Sequence, residues 1–400
     1  MVKQLGWLSL FALAVACTED IAAPGACPEF CPSTQIRVID TILSGIVERD
    51  SSFRGYVTPQ QASQMQLVSD GTISSRAMIK FLRFDDSVAL STFGSDKPVV
   101  ATDSFQITLN LERRSATDSS LSLTIHRIPV GIDSTTTSAD LDPFFSDSTL
   151  IARIPLADTV TPGPLTVILP PTAFPALATD SLITAIGIAV ESQNPAFAEI
   201  SANGSGNGAS IKRWIQVDSA DGVTAQRTES QQVDFDSFTT TSIAPPGSDA
   251  LFVGGSPSAR ALLRVNAPAF IVDTSNVIRA TLIMVPSEPV IGPPGDTVRV
   301  QAESLVSDFG PKSPIVPLPS DSLLFGSALL PVGSTDTVRI DITHIVLPWR
   351  NNPMVPRSFM LRVTPEGSGI GEYRFNSSRA AFGRPQIQFT FIPPAGSENR

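Results

Sequence analysis

Apolar residues in this 400-residue chain alternate with polar ones in short runs, and few stretches repeat at the 3.6-residue period of a helix. Phe105-Gln106-Ile107-Thr108-Leu109-Asn110-Leu111 carries an apolar side chain at every second position, the signature of a strand with one face buried. Leu121 to Ile125, Val298 to Val300, Val338 to Ile342 and Ile387 to Phe391 follow the same pattern. Clusters of Asp, Ser, Gly and Pro bound these runs, as turns require. Only Ala139 to Phe145 and Gln301 to Phe309 suggest a helical turn or two. The predicted class is all-β, built from antiparallel sheets with one face inward.

The strand pattern occurs twice. Arg76-Ala77-Met78-Ile79-Lys80-Phe81 matches Arg260-Ala261-Leu262-Leu263-Arg264-Val265. Asp50-Ser51-Ser52-Phe53 precedes the first match much as Asp236-Ser237-Phe238 precedes the second. Downstream runs recur in the same order, which predicts two tandem jelly-roll-like β-sandwiches. The expected boundaries are a signal segment over 1–16, a tether over 17–35, sandwiches over 36–218 and 231–393, a linker over 219–230 and a tail over 394–400. Alternation places Ala261, Leu263 and Val265 inward, and Ala77, Ile79 and Phe81 likewise. It leaves Arg76, Arg260 and Arg264 on the outer face or rim, because an unpaired charge in a core costs several kcal/mol. There they are expected to pair with Asp or backbone carbonyls as a structural clamp, with direct ligand contact as the alternative.

Composition narrows the function. With Asp+Glu 38 against Lys+Arg 28, the net charge is −10, which opposes nucleic-acid binding. His126 and His344 are the chain's two histidines, no G-x-S-x-G elbow occurs, and both histidines read as structural or solvent-facing. Asp85, Asp86, Asp133, Asp140, Asp142 and Asp147 offer oxygen ligands for calcium but lack a binding-loop spacing, so turn formation is favoured. Asn203-Gly204-Ser205-Gly206-Asn207-Gly208 is followed by neither Lys-Thr nor a helix, and reads as a hairpin loop rather than a phosphate cradle.

The first seventeen residues, MVKQLGWLSLFALAVAC, pair Lys3 with an apolar run too short to span a bilayer. Leu13-Ala14-Val15-Ala16-Cys17 resembles the lipobox of bacterial lipoprotein signal peptides. The resemblance implies cleavage between Ala16 and Cys17 and acylation of Cys17, hence an exported protein held on a membrane by lipid. Thr18 after the cysteine fits the outer membrane or cell surface. Cys27 and Cys31 lie just beyond, where an exported compartment favours a disulfide, with free thiols or intermolecular pairing as the alternative and zinc disfavoured.

The second half also resembles a family. Leu251-Phe252-Val253-Gly254-Gly255 followed by Arg260 to Val265, and then Val277-Ile278-Arg279-Ala280-Thr281-Leu282, is similar to the opening of the DNRLRE domain, a secreted β-sandwich related to carbohydrate-binding modules. Val338 to Thr343 with Trp349, and Phe375-Asn376-Ser377-Ser378-Arg379 with Arg384-Pro385-Gln386-Ile387, are similar to its closing segments. The first half lacks the tryptophan segment and the final Arg-Pro. The resemblance implies a non-catalytic module tied to polysaccharide binding or surface structure. Sugar stacking needs an open Trp or Tyr face, and the candidates are Trp214, Trp349, Tyr56 and Tyr373. Trp349-Arg350-Asn351-Asn352 joins a ring to hydrogen-bonding groups and is the chosen cluster, with a core tryptophan as the competing reading. The expected function is a non-enzymatic surface module for polysaccharide or another envelope protein, with no cofactor. The alternatives are a polysaccharide-active enzyme using two carboxylates, which would need a groove, and a purely structural lipoprotein subunit.

Overall fold

The computed structural model describes residues 37–89, 95–115, 120–175, 182–218, 223–241, 243–316 and 326–394. Alternating runs become strands, and the pairings among the described residues are antiparallel. In chain order, β1 (Ile39–Ser44) and β2 (Val47–Arg54) open the described fold. They are followed by β3 (Gln64–Ser69), β4 (Ser74–Phe81), β5 (Ser87–Ala89), β6 (Asp96–Arg114), β7 (Ser122–Arg127) and β8 (Leu150–Pro155). Next come β9 (Gly163–Leu169), β10 (Ala185–Glu191), β11 (Ala196–Ser201), β12 (Ser210–Asp218) and β13 (Thr224–Thr240). The later part holds β14 (Ala250–Gly254), β15 (Ala259–Val265), β16 (Asn276–Met284), β17 (Thr297–Ser304) and β18 (Ser327–Pro331). It ends with β19 (Val338–Asp341), β20 (Ser358–Thr364), β21 (Glu372–Asn376) and β22 (Gln386–Ile392).

The first core lies between one layer of β9, β6, β12 and the start of β13, and another of β11, β3, β4, β10, β7 and β8. The long strands β6 and β13 run through both layers and join them into one sheet. Ile107 and Ile211 from one layer meet Ala77, Ile79, Phe81 and Ile188 from the other. The second core repeats the plan with separate sheets, β1-β22-β16-β19 facing β18-β17-β20-β15-β14-β21. Here Leu282, Ile340 and Phe389 pack against Ala261, Leu263, Val265 and Leu361. Ala261 and Leu263 are 0% exposed, the burial expected from alternation. Their outer-face neighbours Leu262 and Met78 are also buried, each in a small satellite cluster on the far side of its sheet.

Strand for strand, β4 corresponds to β15, β6 to β16, β10 to β20, β11 to β21 and β12 to β22. The opening strands break the expected boundaries. Residues 39–54, expected in the first sandwich, pair with the second: β1 with β22, and β2 with β15. Residues 224–240, expected as linker and start of the second sandwich, form β13 and pair with β12 and β4 of the first. Each core is therefore completed by the strand that precedes the other core in sequence. Where β13 is continuous, its counterpart is broken between β1 and β2 at Gly45, whose φ of 76° favours glycine.

The two cores fall within one compact unit, Ile39–Arg400. A polar junction links them. Gln66 of β3 accepts from the Ile370 N–H at 3.0 Å and donates to Asp296 at 3.2 Å and to Glu199 at 3.3 Å. Arg113 bridges the same two carboxylates, at 2.7 Å to each. Beside it, Val68 and Phe197 of the first core bury Ile370 of the second.

The expected helical turn over Ala139 to Phe145 is present as Ser138–Leu141 and Asp142–Phe144, capped by Thr137 with Asp140. The one expected over Gln301 to Phe309 is not: Gln301 continues β17 because Val298, Val300 and Ala302 are needed inward.

Candidate functional site

The outer face of β13, β12, β6 and β9 carries an aromatic ring on open sheet. Ile211 and Ile215 of β12 are 0% exposed, so the intervening Lys212, Trp214 and Gln216 point outward. Trp214 is half-buried. It lies opposite Ser104 on β6 and Thr228 on β13, and the Lys212 ammonium sits 5.8 Å from its ring centre. The next row pairs Lys212 with Gln106 and Ser230, and Gln106 in turn with Ile168 of β9. A register shift beside Trp214 inserts an extra residue in β6. It leaves Asp103 on the surface, where its carboxylate accepts from the amides of Gln216 at 2.8 Å and Gln226 at 3.2 Å. Bulges of this kind re-aim side chains and recur next to binding sites. The result is a ring face flanked by amides, hydroxyls, one cation and one carboxylate.

The corresponding face of the second core is polar without an aromatic. Asp40, Gln388, Thr390, Arg279, Thr281, Arg339, Asp341 and Ser327 line a depression of about 450 Å³. Gln388 donates to Asp40 at 2.9 Å and accepts from Arg339 at 3.3 Å, so these groups already hold one another in place.

A larger cavity of about 510 Å³ opens at one end of the first core, between Arg83, Asp85, Phe105 and Phe174. The buried Arg213 at its wall donates to Glu229 and to the Asp85 carbonyl. An extended polymer needs an open face rather than a cavity of this size, so the face around Trp214 is the stronger candidate for such a ligand.

The chosen Trp349 cluster is not a stacking site. Trp349 is 1% exposed, because the Leu347–Trp349 turn folds its ring into the second core. Arg350 and Asn351 are exposed on the chain that follows. Tyr373 is also buried, and its hydroxyl donates to the Val298 carbonyl. Tyr56 lies under the Arg260 guanidinium, 4.3 Å from its ring centre.

The repeated arginines sit on the outer faces, each with an acidic partner. Arg260 holds Glu366 through two hydrogen bonds of 2.8 and 2.7 Å, and Arg264 holds Asp308 at 2.6 and 2.7 Å. The bond from Arg264 keeps the Asp308 carboxyl below its ordinary range. Arg76 binds Asp142 and stacks 4.6 Å above Phe145.

Three buried carboxylates, Glu199, Asp296 and Glu303, are each bound to an arginine. Glu199 and Asp296 share Arg113, whose pKa those bonds raise. The space beside them is about 50 Å³, too small for a sugar ring. Glu303 is 0% exposed, its carboxyl pushed up by burial although Arg362 binds it at 2.8 Å. His126, pushed down mainly by burial, faces Thr149 and Phe145. Asp133 and Asp140 accept from Thr135 and Thr137 in turns. Among the described residues no group of three or more His, Cys, Asp or Glu could hold a metal ion. Nor is any helix there long and apolar enough to cross a membrane. Ala16, Cys17, Cys27 and Cys31 lie outside the described residues.

Sequence reasoning named Trp214 but did not choose it. The alternation Ile211-x-Arg213-x-Ile215 places it outward, yet the same alternation buries Arg213, which obscures which face is the core. No family model matches the chain, and no curated protein matches it.

Proposed function

We propose that this chain is a non-catalytic lipoprotein of the cell envelope that binds polysaccharide through the outer sheet face around Trp214. The observation that carries the reading is a half-buried tryptophan on an outer sheet face among Gln, Thr, Ser and one Asp. A sugar ring offers an apolar face to stack and a rim of hydroxyls to hydrogen-bond. Trp214 supplies the first partner, and Gln106, Gln216 and Thr228 supply the second. The DNRLRE resemblance and the Cys17 segment support the same reading, since both belong to exported proteins. The binding reading is preferred to an enzyme because Glu199, Asp296 and Glu303 are tied to arginines, and the space beside Glu199 and Asp296 is too small for a sugar ring.

The test is a glycan-array screen of the mature protein beside its Trp214→Ala variant, run with an affinity pull-down from the envelope. Glycan signals that disappear in the variant support the proposal. A stoichiometric protein partner retained by both forms, with no glycan signal, would replace recognition of polysaccharide by scaffolding.

A further inference from the structure

We propose that residues 39–54 are an exchangeable strand pair, and that a second copy of this chain is the partner that can supply them. The inference is independent of the polysaccharide reading. β1 pairs with β22 from Ile39 to Ser44, and β2 pairs with β15 from Val47 to Arg54. Asp50 accepts from the Ser378 N–H and from Arg379, and Arg54 forms an ion pair with Glu372 at 2.5 Å. Every one of these partners lies beyond residue 250, so the covalent path from strand to acceptor runs through the whole first core. The link between them is residues 55–63, beginning at Gly55 with φ 95°.

The two donated strands differ in how they are held. β13 continues from β12 on one side and leads to β14 on the other, so moving it would displace half the molecule. β1 and β2 lead into the first core through residues 55–63, of which Gly55, Tyr56 and Val57 still bond Ser258 of the second core. Only the part of the link after Val57 must swing for the pair to leave, carrying the bonds of residues 55–57 to Ser258 and Pro311 with it. The same strands from a second copy would make the same bonds, so exchange gives up only contacts of the link, such as the Ala202 N–H to the Ser63 carbonyl, and chain concentration decides between the closed and exchanged forms. The donor would also complete a surface. Asp40 rides on β1 and accepts from Gln388 and Thr390, so the polar face of the second core would be finished in trans.

The test uses the full chain with Cys17, Cys27 and Cys31 replaced by serine. Ile42 and Gln388 are opposite each other in the β1–β22 register. Chains carrying Ile42→Cys alone are mixed with chains carrying Gln388→Cys alone, unfolded together in urea, refolded and oxidised. The expected result is a covalent heterodimer that mass spectrometry maps to a 42–388 cross-link, with a yield that rises with protein concentration. The double variant should close within one chain. A double variant that closes while the mixed single variants give no 42–388 cross-link would overturn the proposal. A second readout needs no cysteine: refolding the unmodified chain at rising concentration should give a growing dimer fraction by light scattering. Monomer alone at every concentration would equally overturn it.

Discussion

Asp50 and Asp236 hold the same position in the two cores, each on a strand that comes from the other side of the internal repeat. Asp50 lies opposite Leu263 and Asp236 opposite Ile79. Both are buried, and both accept a backbone N–H from the turn that follows corresponding strands, Ser378 after β21 and Asn203 after β11. The register, the burial and the bonded turn all coincide, so the halves are one architecture used twice and closed by reciprocal strand donation.

Removing either carboxylate should therefore have a similar effect. Asp50→Ala and Asp236→Ala each strip the acceptor from a turn N–H, a change worth about 1–3 kcal/mol. Urea unfolding checks this. A cost at one site with none at the other would break the equivalence.

Core and clamp residues on the repeated strand should separate by the burial of their partners. Leu263→Ala empties a 0% exposed site and should cost about 2–5 kcal/mol. Arg260→Ala leaves Glu366, whose side chain is 7% exposed, without its bidentate partner and should cost about 3 kcal/mol. Arg76→Ala frees Asp142, 61% exposed, and should cost about 1 kcal/mol or less. The three denaturation midpoints should fall in that order of burial, with Arg76→Ala nearest wild type.

Stability should fall as pH drops below about 6.5, partly through His126. Its imidazole is held below its ordinary value of 6.5, first by burial. The unfolded chain therefore takes up a proton in a range where the folded chain refuses it, and the folded state loses stability as pH falls from there. Above that range the effect is absent. His126→Gln should flatten this part of the pH–stability curve, read by thermal melts from pH 7.5 to 5.

Metabolic labelling with a fatty-acid analogue should mark the wild-type protein in a bacterial host and leave the Cys17→Ala variant unmarked. Equal labelling of both would remove the lipid anchor from the proposal.

Most of the fold was legible because alternation is a local property. Phe105 to Leu111 and Ile387 to Phe391 announce their faces within a few residues. Strand partnership is not local. Asp50-Ser51-Ser52-Phe53 precedes the first Arg-Ala strand, but nothing nearby says that it pairs with β15 rather than β4. The signal was its likeness to Asp236-Ser237-Phe238, which shows equivalence and leaves open which strand joins which core. The junction of Gln66, Glu199, Arg113 and Asp296 was hidden for the same reason, since its members come from opposite halves. Trp349 misled because Arg350 and Asn351 beside it are polar, whereas the turn at Leu347-Pro348 rotates the ring inward.

The central functional claim rests on Trp214 and is tested most directly by its own fluorescence. In a chain begun at Cys17 and carrying Trp349→Phe, Trp214 is the one tryptophan left. Titrating this protein with the polysaccharides of its host envelope should shift and saturate the emission for at least one of them. Replacing Gln106 with Ala should then weaken the apparent affinity about tenfold, without changing the melting temperature by more than a degree or two. Emission that stays unchanged across the whole panel, while the folded protein binds the same polysaccharides by another readout, would place recognition elsewhere and contradict the account.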